Sequence, residues 1–244
     1  MKELPLDEPH SARTAPSRQP PPRQPPVKLV IFDCDGVLID SEVLACGTAA
    51  ETMTEFGYAI SLAEYLQFVG RSARDIRAEL EARFGPMPPD LATCERARLF
   101  ARFTAELQAM PGAAATIGGL GIGGLGLPVC VASSSDHERL AHTLGLTGLL
   151  DLFRPNVFSA TEVARGKPAP DLFLHAAGRM GVAPAGCLVV EDSTAGVTAA
   201  VAAGMRAVGF VGGSHCGPAH ADRLRAAGAE RIIDRLSAVT ALVR

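Results

Sequence analysis

Residues 28–42 read KLVIFDCDGVLIDSE. The first five, KLVIF, form a nearly continuous apolar run, the pattern of a strand buried on both faces of a parallel sheet. Two aspartates one residue apart, Asp33 and Asp35, follow at the carboxyl end of that strand, and Gly36 then permits a tight turn. Like charges so close resist joint ionisation, so each carboxylate needs a proton or a cation. Mg2+, a hard ion that prefers oxygen ligands, is one such cation. Taken alone, D-x-D-G is a short motif, and a strand-ending turn with two solvated aspartates also explains it.

Similar apolar runs recur at PVCVA (128–132), NVFSA (156–160), CLVVE (187–191), RAVGF (206–210) and RII (231–233). Helical patterns separate the later runs, at 136–145, 171–181, 194–204 and 219–228. This alternation predicts an α/β fold built on a doubly wound parallel sheet. It fails between the first two strands, where residues 43–110 hold only amphipathic helical stretches such as Ser72–Phe84 and Asp90–Met110. A helical block inserted at the carboxyl end of strand one, where such sheets bind ligands, is expected to be an all-α cap acting as a lid. The expected organisation is a core of 27–42 and 111–244, a helical cap at 43–110 and a tail at 1–26. The tail holds eight of the 18 prolines and no apolar run of a secretory leader, so it reads as extended or disordered. Its run from Pro20 to Pro26 suits an SH3-like groove, but a bland leader accounts for it more simply. Residues 118–126, GGLGIGGLG, contain six glycines; they read as a flexible loop and are too glycine-rich for a membrane span.

Composition excludes several functions. The chain has 244 residues against a domain prior of roughly 150, which suits one domain with a sizeable insertion. With 23 basic and 26 acidic residues the net charge is −3, leaving no basic field for nucleic acid or an anionic membrane. Aromatics are 5% with no Trp, so a base-stacking platform is not expected either. The six cysteines form no C-x-x-C pair and read as reduced residues of a cytoplasmic protein.

Three further polar groups fall at the ends of later strands: Ser133 opening SSSD, Lys167 in ARGKPAPD, and Glu191-Asp192 in EDSTAG. Each alone is bland: a helix N-cap, a surface charge, a turn. Lys167 is one of only three lysines, and Pro168 and Pro170 restrict the loop that carries it. Four such groups at one edge of one sheet point to a common pocket.

In this order, D-x-D-G-V, strand-Ser, G-K-P-x-P-D and E-D-S-x-x-G resemble the haloacid dehalogenase superfamily over residues 28 to 235. Within it the chain is similar to the helical-cap branch that includes β-phosphoglucomutases and sugar-phosphate phosphatases, among them the 6-phosphogluconate type. The resemblance implies a Rossmann-like core with strand order 3-2-1-4-5. It implies that Asp33 is a nucleophile forming an aspartyl-phosphate, and that Asp35 protonates the leaving oxygen and then activates water. It further implies Mg2+ held by Asp33, the Asp35 carbonyl and Asp192, with Glu191 acting through water. Ser133, Ser134 and Lys167 would bind the phosphoryl group, where positioning and charge neutralisation matter most. The implied activity is Mg2+-dependent hydrolysis of a small phosphomonoester, a sugar or sugar-acid phosphate, by a chain expected to be monomeric.

The dehalogenase and phosphonatase branches fit poorly: Asp35 and Glu191-Asp192 argue against the first, and the absence of lysine from 43–110 against the second. A non-catalytic relative would not be expected to keep the full motif set. A phosphosugar mutase is the alternative, disfavoured because Ala45 and Ala73 stand where those enzymes resemble one another in carrying a His and an Arg. Arg71 and Arg74 flank the second position. Arg71 and Ser72 are nominated for substrate specificity, against the simpler reading of Ser72 as an N-cap beside a solvated Arg. Ser214, His215 and His220 in VGGSHCGPAH (211–220) lie at the ligand edge, and a polar loop is the simpler reading of them than a metal site.

Overall fold

The structure, a computed structural model, describes residues 25–69, 71, 73–121 and 124–244. Most of the 1–26 tail, Ser72 and part of the glycine-rich segment therefore lie outside the described residues.

Six parallel strands, β1 (Leu29–Phe32), β2 (Val129–Ser133), β3 (Val157–Ser159), β4 (Cys187–Glu191), β5 (Arg206–Phe210) and β6 (Arg231–Ile233), form one sheet. Their order is β3-β2-β1-β4-β5-β6, the expected 3-2-1-4-5 core extended by one strand. β1 is central, and its four side chains are fully buried. The pleat sends Leu29 and Ile31 to one face, with Cys130 and Val189, and Val30 and Phe32 to the other, with Val131 and Val190. Burying each large apolar side chain contributes about 1.5–3 kcal/mol, so this strand is a firm base for whatever follows it.

Helices cover both faces. One face is closed by α8 (Asp171–Arg179), α9 (Thr194–Ala202) and α10 (His220–Ala226), through Leu172, Phe173, Val197, Ala200 and Leu224. The other is closed by α5 (Ala113–Leu120), α6 (His137–Leu146), α7 (Leu150–Phe153) and α11 (Val239–Leu242), through Ile117, Leu120, Leu140, Leu144, Phe153 and Val239. Helix α5 corrects the flexible-loop expectation at 118–120 only, because Gly118, Gly119 and Leu120 belong to its last turn, while the described residues 121 and 124–126 are non-helical. Ala113, Thr116, Ile117 and Leu120 share its buried face, and that burial outweighs the roughly 1 kcal/mol each glycine costs.

Between β1 and β2 lie α1 (Glu42–Glu55), α2 (Leu62–Tyr65), α3 (Ala73–Phe84) and α4 (Leu91–Glu106). Their inner faces form a separate apolar cluster around Cys46, Met53, Ile60, Tyr65, Phe68, Leu80 and Leu91. The expected Asp90–Met110 helix stops at Glu106. Met110 precedes Pro111, which disfavours helical backbone there, and residues 107–110 run alongside the outgoing chain instead. Asp40 N donates to Gln108 O (3.0 Å) and Met110 N to Leu38 O (2.8 Å), so the two connections to the helical block are stitched together. Among the described residues no helix is long and apolar enough to cross a membrane.

Candidate active site

Three strand ends deliver the first groups. Phe32 pairs with Val131 on one side and Val190 on the other, which brings Asp33, Ser133 and Glu191 to one edge of the sheet. The Asp33 amide donates to Val190 O (3.0 Å). Beyond it, the amides of Val37, Leu38 and Ile39 all donate to Cys34 O, closing a turn through Gly36 at φ +75°. A Cβ at Gly36 would lie 2.0 Å from Asp192 Oδ2, so close approach as well as backbone conformation requires glycine there.

Lys167 is the central cation, its side chain 2% exposed. Its Nζ donates to Asp33 Oδ1 (2.5 Å) and Glu191 Oε1 (2.9 Å). The other Glu191 oxygen accepts from the amides of Asp192 (2.7 Å) and Ser193 (3.2 Å). Burial would raise the Glu191 carboxyl, but Lys167 and these hydrogen bonds outweigh it and hold it low. Asp33 is pushed well up by burial, offset only in part by Lys167 and reinforced by Glu191 and Asp35. Asp192 is pushed up by burial, then by Glu191 and Asp33. One lysine thus serves three buried carboxylates. Asp33, Glu191 and Asp192 each offer an oxygen within 4.8 Å of the others, and Asp192 Oδ2 has no aligned hydrogen-bond donor, only the His215 ring nitrogen 2.8 Å away. The donor set and its missing positive charge suit a hard divalent cation.

Asp35 has different company. Its Oδ1 accepts from Ser41 Oγ (2.7 Å) and Arg139 Nη2 (2.6 Å), and its Oδ2 from Ser135 Oγ (2.7 Å). Burial would raise Asp35, but Arg139 and the three hydrogen bonds prevail and hold it low. Two aspartates one residue apart therefore lean in opposite directions without a cation, Asp33 towards its proton and Asp35 towards its charge; phosphoryl transfer needs the reverse, which a cation beside Asp33 and a proton taken up by Asp35 would supply. Arg139 stands in the first turn of α6, after Asp136, whose Oδ1 caps the Arg139 amide (2.8 Å). Asp136 also accepts from Arg96 of α4 (2.9 Å), a direct tie between the helical insertion and the sheet edge.

These groups face a cavity of about 780 Å³. Its floor includes Asp33, Asp35, Ser133, Ser134, Lys167 and Asp192; Tyr65, Phe68, Met87 and Leu91 supply an apolar wall from the insertion. Ser133 is buried and its Oγ accepts from Ser135 N (3.1 Å), whereas Ser134 is exposed to the cavity. Arg71 lines the cavity, but its Nη1 is paired with Glu79 (2.6 Å) and its guanidinium lies 5.2 Å from the Phe68 ring centre. Ser72 is outside the described residues. In the 211–220 loop, Ser214 donates to Asp40 through both N and Oγ and so anchors the loop. His215 and His220 instead approach Asp192, a closer involvement than a bland polar loop would give.

Sequence reasoning missed Arg139, Ser41, Ser135 and the cavity carboxyls Glu42 and Glu95. An arginine in the first turn of a helix opposes the macrodipole, and DHER (136–139) carried that signal. Burial, with Asp35 and Asp192 nearby, pushes Glu42 up to about 8. Since its ordinary value is 4.5, the unfolded chain ionises first, and stability is lost as pH rises from 4.5 towards 8. Glu42→Gln is thus expected to match the parent near pH 4.5 and to exceed it by on the order of 1–2 kcal/mol above pH 8. Denaturant unfolding across that range measures this, and a variant less stable than the parent at high pH contradicts it.

The comparisons with known proteins agree with this geometry. A haloacid dehalogenase-like hydrolase family model matches residues 27–204. The 6-phosphogluconate phosphatase of Escherichia coli (strain K12) is 34% identical over 199 residues, 79% of this chain and 86% of that protein. A haloacid dehalogenase-like protein of unknown function from Agrobacterium tumefaciens str. C58 superposes with a TM-score of 0.76 at 38% identity, covering 89% of this chain and 97% of that one. A haloacid dehalogenase family hydrolase from Deinococcus radiodurans R1, solved with bound phosphate and sodium, gives a TM-score of 0.72 at 32% identity over 89% and 96%. Parallel sheet, strand-end carboxylates and family match converge on one conclusion: the chain belongs to the haloacid dehalogenase-like hydrolases.

Proposed function

We propose that the chain is a phosphoric monoester hydrolase acting on a small sugar or sugar-acid phosphate through an aspartyl-phosphate on Asp33. The observation that carries this reading is the buried Asp33–Lys167–Glu191 constellation, with Asp35 held by Arg139 beside it, at the mouth of one cavity. Lys167 holds Asp33 Oδ1, leaving the other carboxylate oxygen for attack on phosphorus. Asp35, having taken up a proton from solvent as substrate binds, delivers it to the departing alcohol and later takes one from water. Ser133, Ser134 and Lys167 bind phosphoryl oxygens as charge spreads over them. Asp33, Asp192, the Asp35 carbonyl and, through water, Glu191 would hold Mg2+, which offsets phosphate charge when bound. The similarity to a 6-phosphogluconate phosphatase supports the substrate class.

The six free cysteines suit a reducing, cytoplasmic setting.

The test is a panel of phosphorylated sugars, sugar acids and nucleotides, with phosphate release followed in Mg2+ and in chelator. Activity should vanish with the chelator and return with Mg2+; full activity in metal-free buffer overturns the mechanism. The mutase reading keeps a place because Arg71 and Arg74 both line the cavity, where a second phosphate would sit. β-Glucose 1-phosphate with a trace of its 1,6-bisphosphate separates the two readings. Rapid conversion to glucose 6-phosphate with little free phosphate would mark a mutase.

A further inference from the structure

The loop between β5 and α10 carries His215 and Cys216, and α10 opens with His220; their ligating atoms all lie within 4.8 Å of one another. Cys216 Sγ is 3.4 Å from His215 Nε2. A tetrahedral ion bonded to nitrogen at 2.0–2.1 Å and to sulfur at 2.3 Å sets such a pair about 3.5 Å apart. The two imidazole centres are 5.4 Å apart, close to the ~5 Å expected of two rings on one such ion. Both histidines also converge on Asp192. His215 Nε2 lies 2.8 Å from Asp192 Oδ2, and His220 Nε2 donates to the Asp192 main-chain oxygen (2.5 Å), which leaves Nδ1 as the ligating atom of His220; Arg223 Nη2 donates to that nitrogen (3.0 Å) and must give way to an ion. Yet the His215 nitrogen is not aligned to donate to Asp192 Oδ2, and His215 Nδ1 has no hydrogen-bond partner, although the Asp192 and His215 side chains are only 3% and 2% exposed. The backbone makes room for this imidazole: a Cβ at Gly213 would meet it at 2.7 Å, and one at Gly36 at 2.9 Å.

We propose that His215, Cys216 and His220 form a second metal site, for a borderline-soft divalent ion of the Zn2+ class, which takes Asp192 as its fourth ligand. Thiolate and imidazole select such an ion over Mg2+, which keeps oxygen ligands. Binding expels the Cys216 thiol proton to solvent. Because Asp192 also belongs to the acidic set that would hold Mg2+, the two ions compete for one carboxylate. Zn2+ at this loop therefore switches the enzyme off. That regulatory half rests on the phosphatase reading; the binding half does not.

Co2+ added to the full-length protein is the direct probe. One equivalent should give a near-ultraviolet cobalt–thiolate band with tetrahedral visible bands, both bleached by Zn2+. Cys216→Ser should abolish the thiolate band without changing the melting temperature or Mg2+-supported phosphate release. It should weaken Zn2+ binding by more than the roughly 10–100-fold that losing even an outer-shell partner costs, and move the zinc inhibition curve equally. His220→Gln, which keeps an N–H for the Asp192 carbonyl, should also weaken Zn2+. No cobalt band, or one that survives in Cys216→Ser, overturns the site. A thiolate band accompanied by equal zinc inhibition of parent and variant overturns the sharing of Asp192.

Discussion

Asp33→Asn is expected to reduce turnover by at least about 10⁴-fold, the scale of removing a protein nucleophile, with no loss of thermal stability. A neutral amide oxygen cannot attack phosphorus and leave as a carboxylate. The stability half follows from the charge balance. Burial pushes Asp33 up despite Lys167, so the folded protein holds its proton more tightly than the unfolded chain does. Above the ordinary carboxylate value of 3.8, an ionised Asp33 therefore costs stability, and the isosteric amide removes that cost. Lys167 keeps Glu191 at 2.9 Å, so the variant does not strand a buried ammonium. Steady-state turnover and thermal unfolding at neutral pH measure the two halves. Near-normal turnover would remove Asp33 from the nucleophile's role.

The sheet was legible because its strands are buried on both faces and so appear as bare apolar runs. RAVGF and RII became β5 and β6 at the residues read from sequence. Helix α5 was not, since GG inside a short helix weakens the local signal and only burial of Ile117 and Leu120 against the sheet restores it. The end of α4 was lost for a related reason: residues 107–110 pair with Leu38 and Asp40, a partnership no local pattern shows. In the site, the carboxylates and Lys167 could be placed at one edge because each follows a recognisable strand. Arg139, Ser41 and Ser135 could not, because what matters about them is their contact with Asp35. Glu42 reads as an ordinary acidic start to a helix, and only the fold over it makes its carboxyl hard to ionise.

Asp35→Asn should slow turnover by roughly 10²–10⁴-fold, as loss of a general acid–base group does, but unlike Asp33→Asn it should also destabilise the fold. Burial alone would raise Asp35, yet Arg139, Ser41 and Ser135 hold it low, so its ionised form stabilises the folded chain. That contribution is present above the ordinary value of 3.8 and is lost as pH falls through the lower folded value. The amide removes it and leaves the partly buried Arg139 guanidinium without its carboxylate. Melting temperatures at neutral pH should therefore diverge, Asp33→Asn at or above the parent and Asp35→Asn below it. Kinetics separate the two chemical roles of Asp35. A nitrophenyl phosphate needs little protonation of its leaving group, so the first step should survive and release about one equivalent of nitrophenolate in a burst. Water activation still fails, and turnover after the burst should be slow. A sugar phosphate, whose alkoxide must be protonated as it leaves, should give no burst. Equal slowing of both substrates with no burst from either would leave Asp35 without a role as acid, and equal melting temperatures for the two variants would contradict the opposite leanings of the two aspartates.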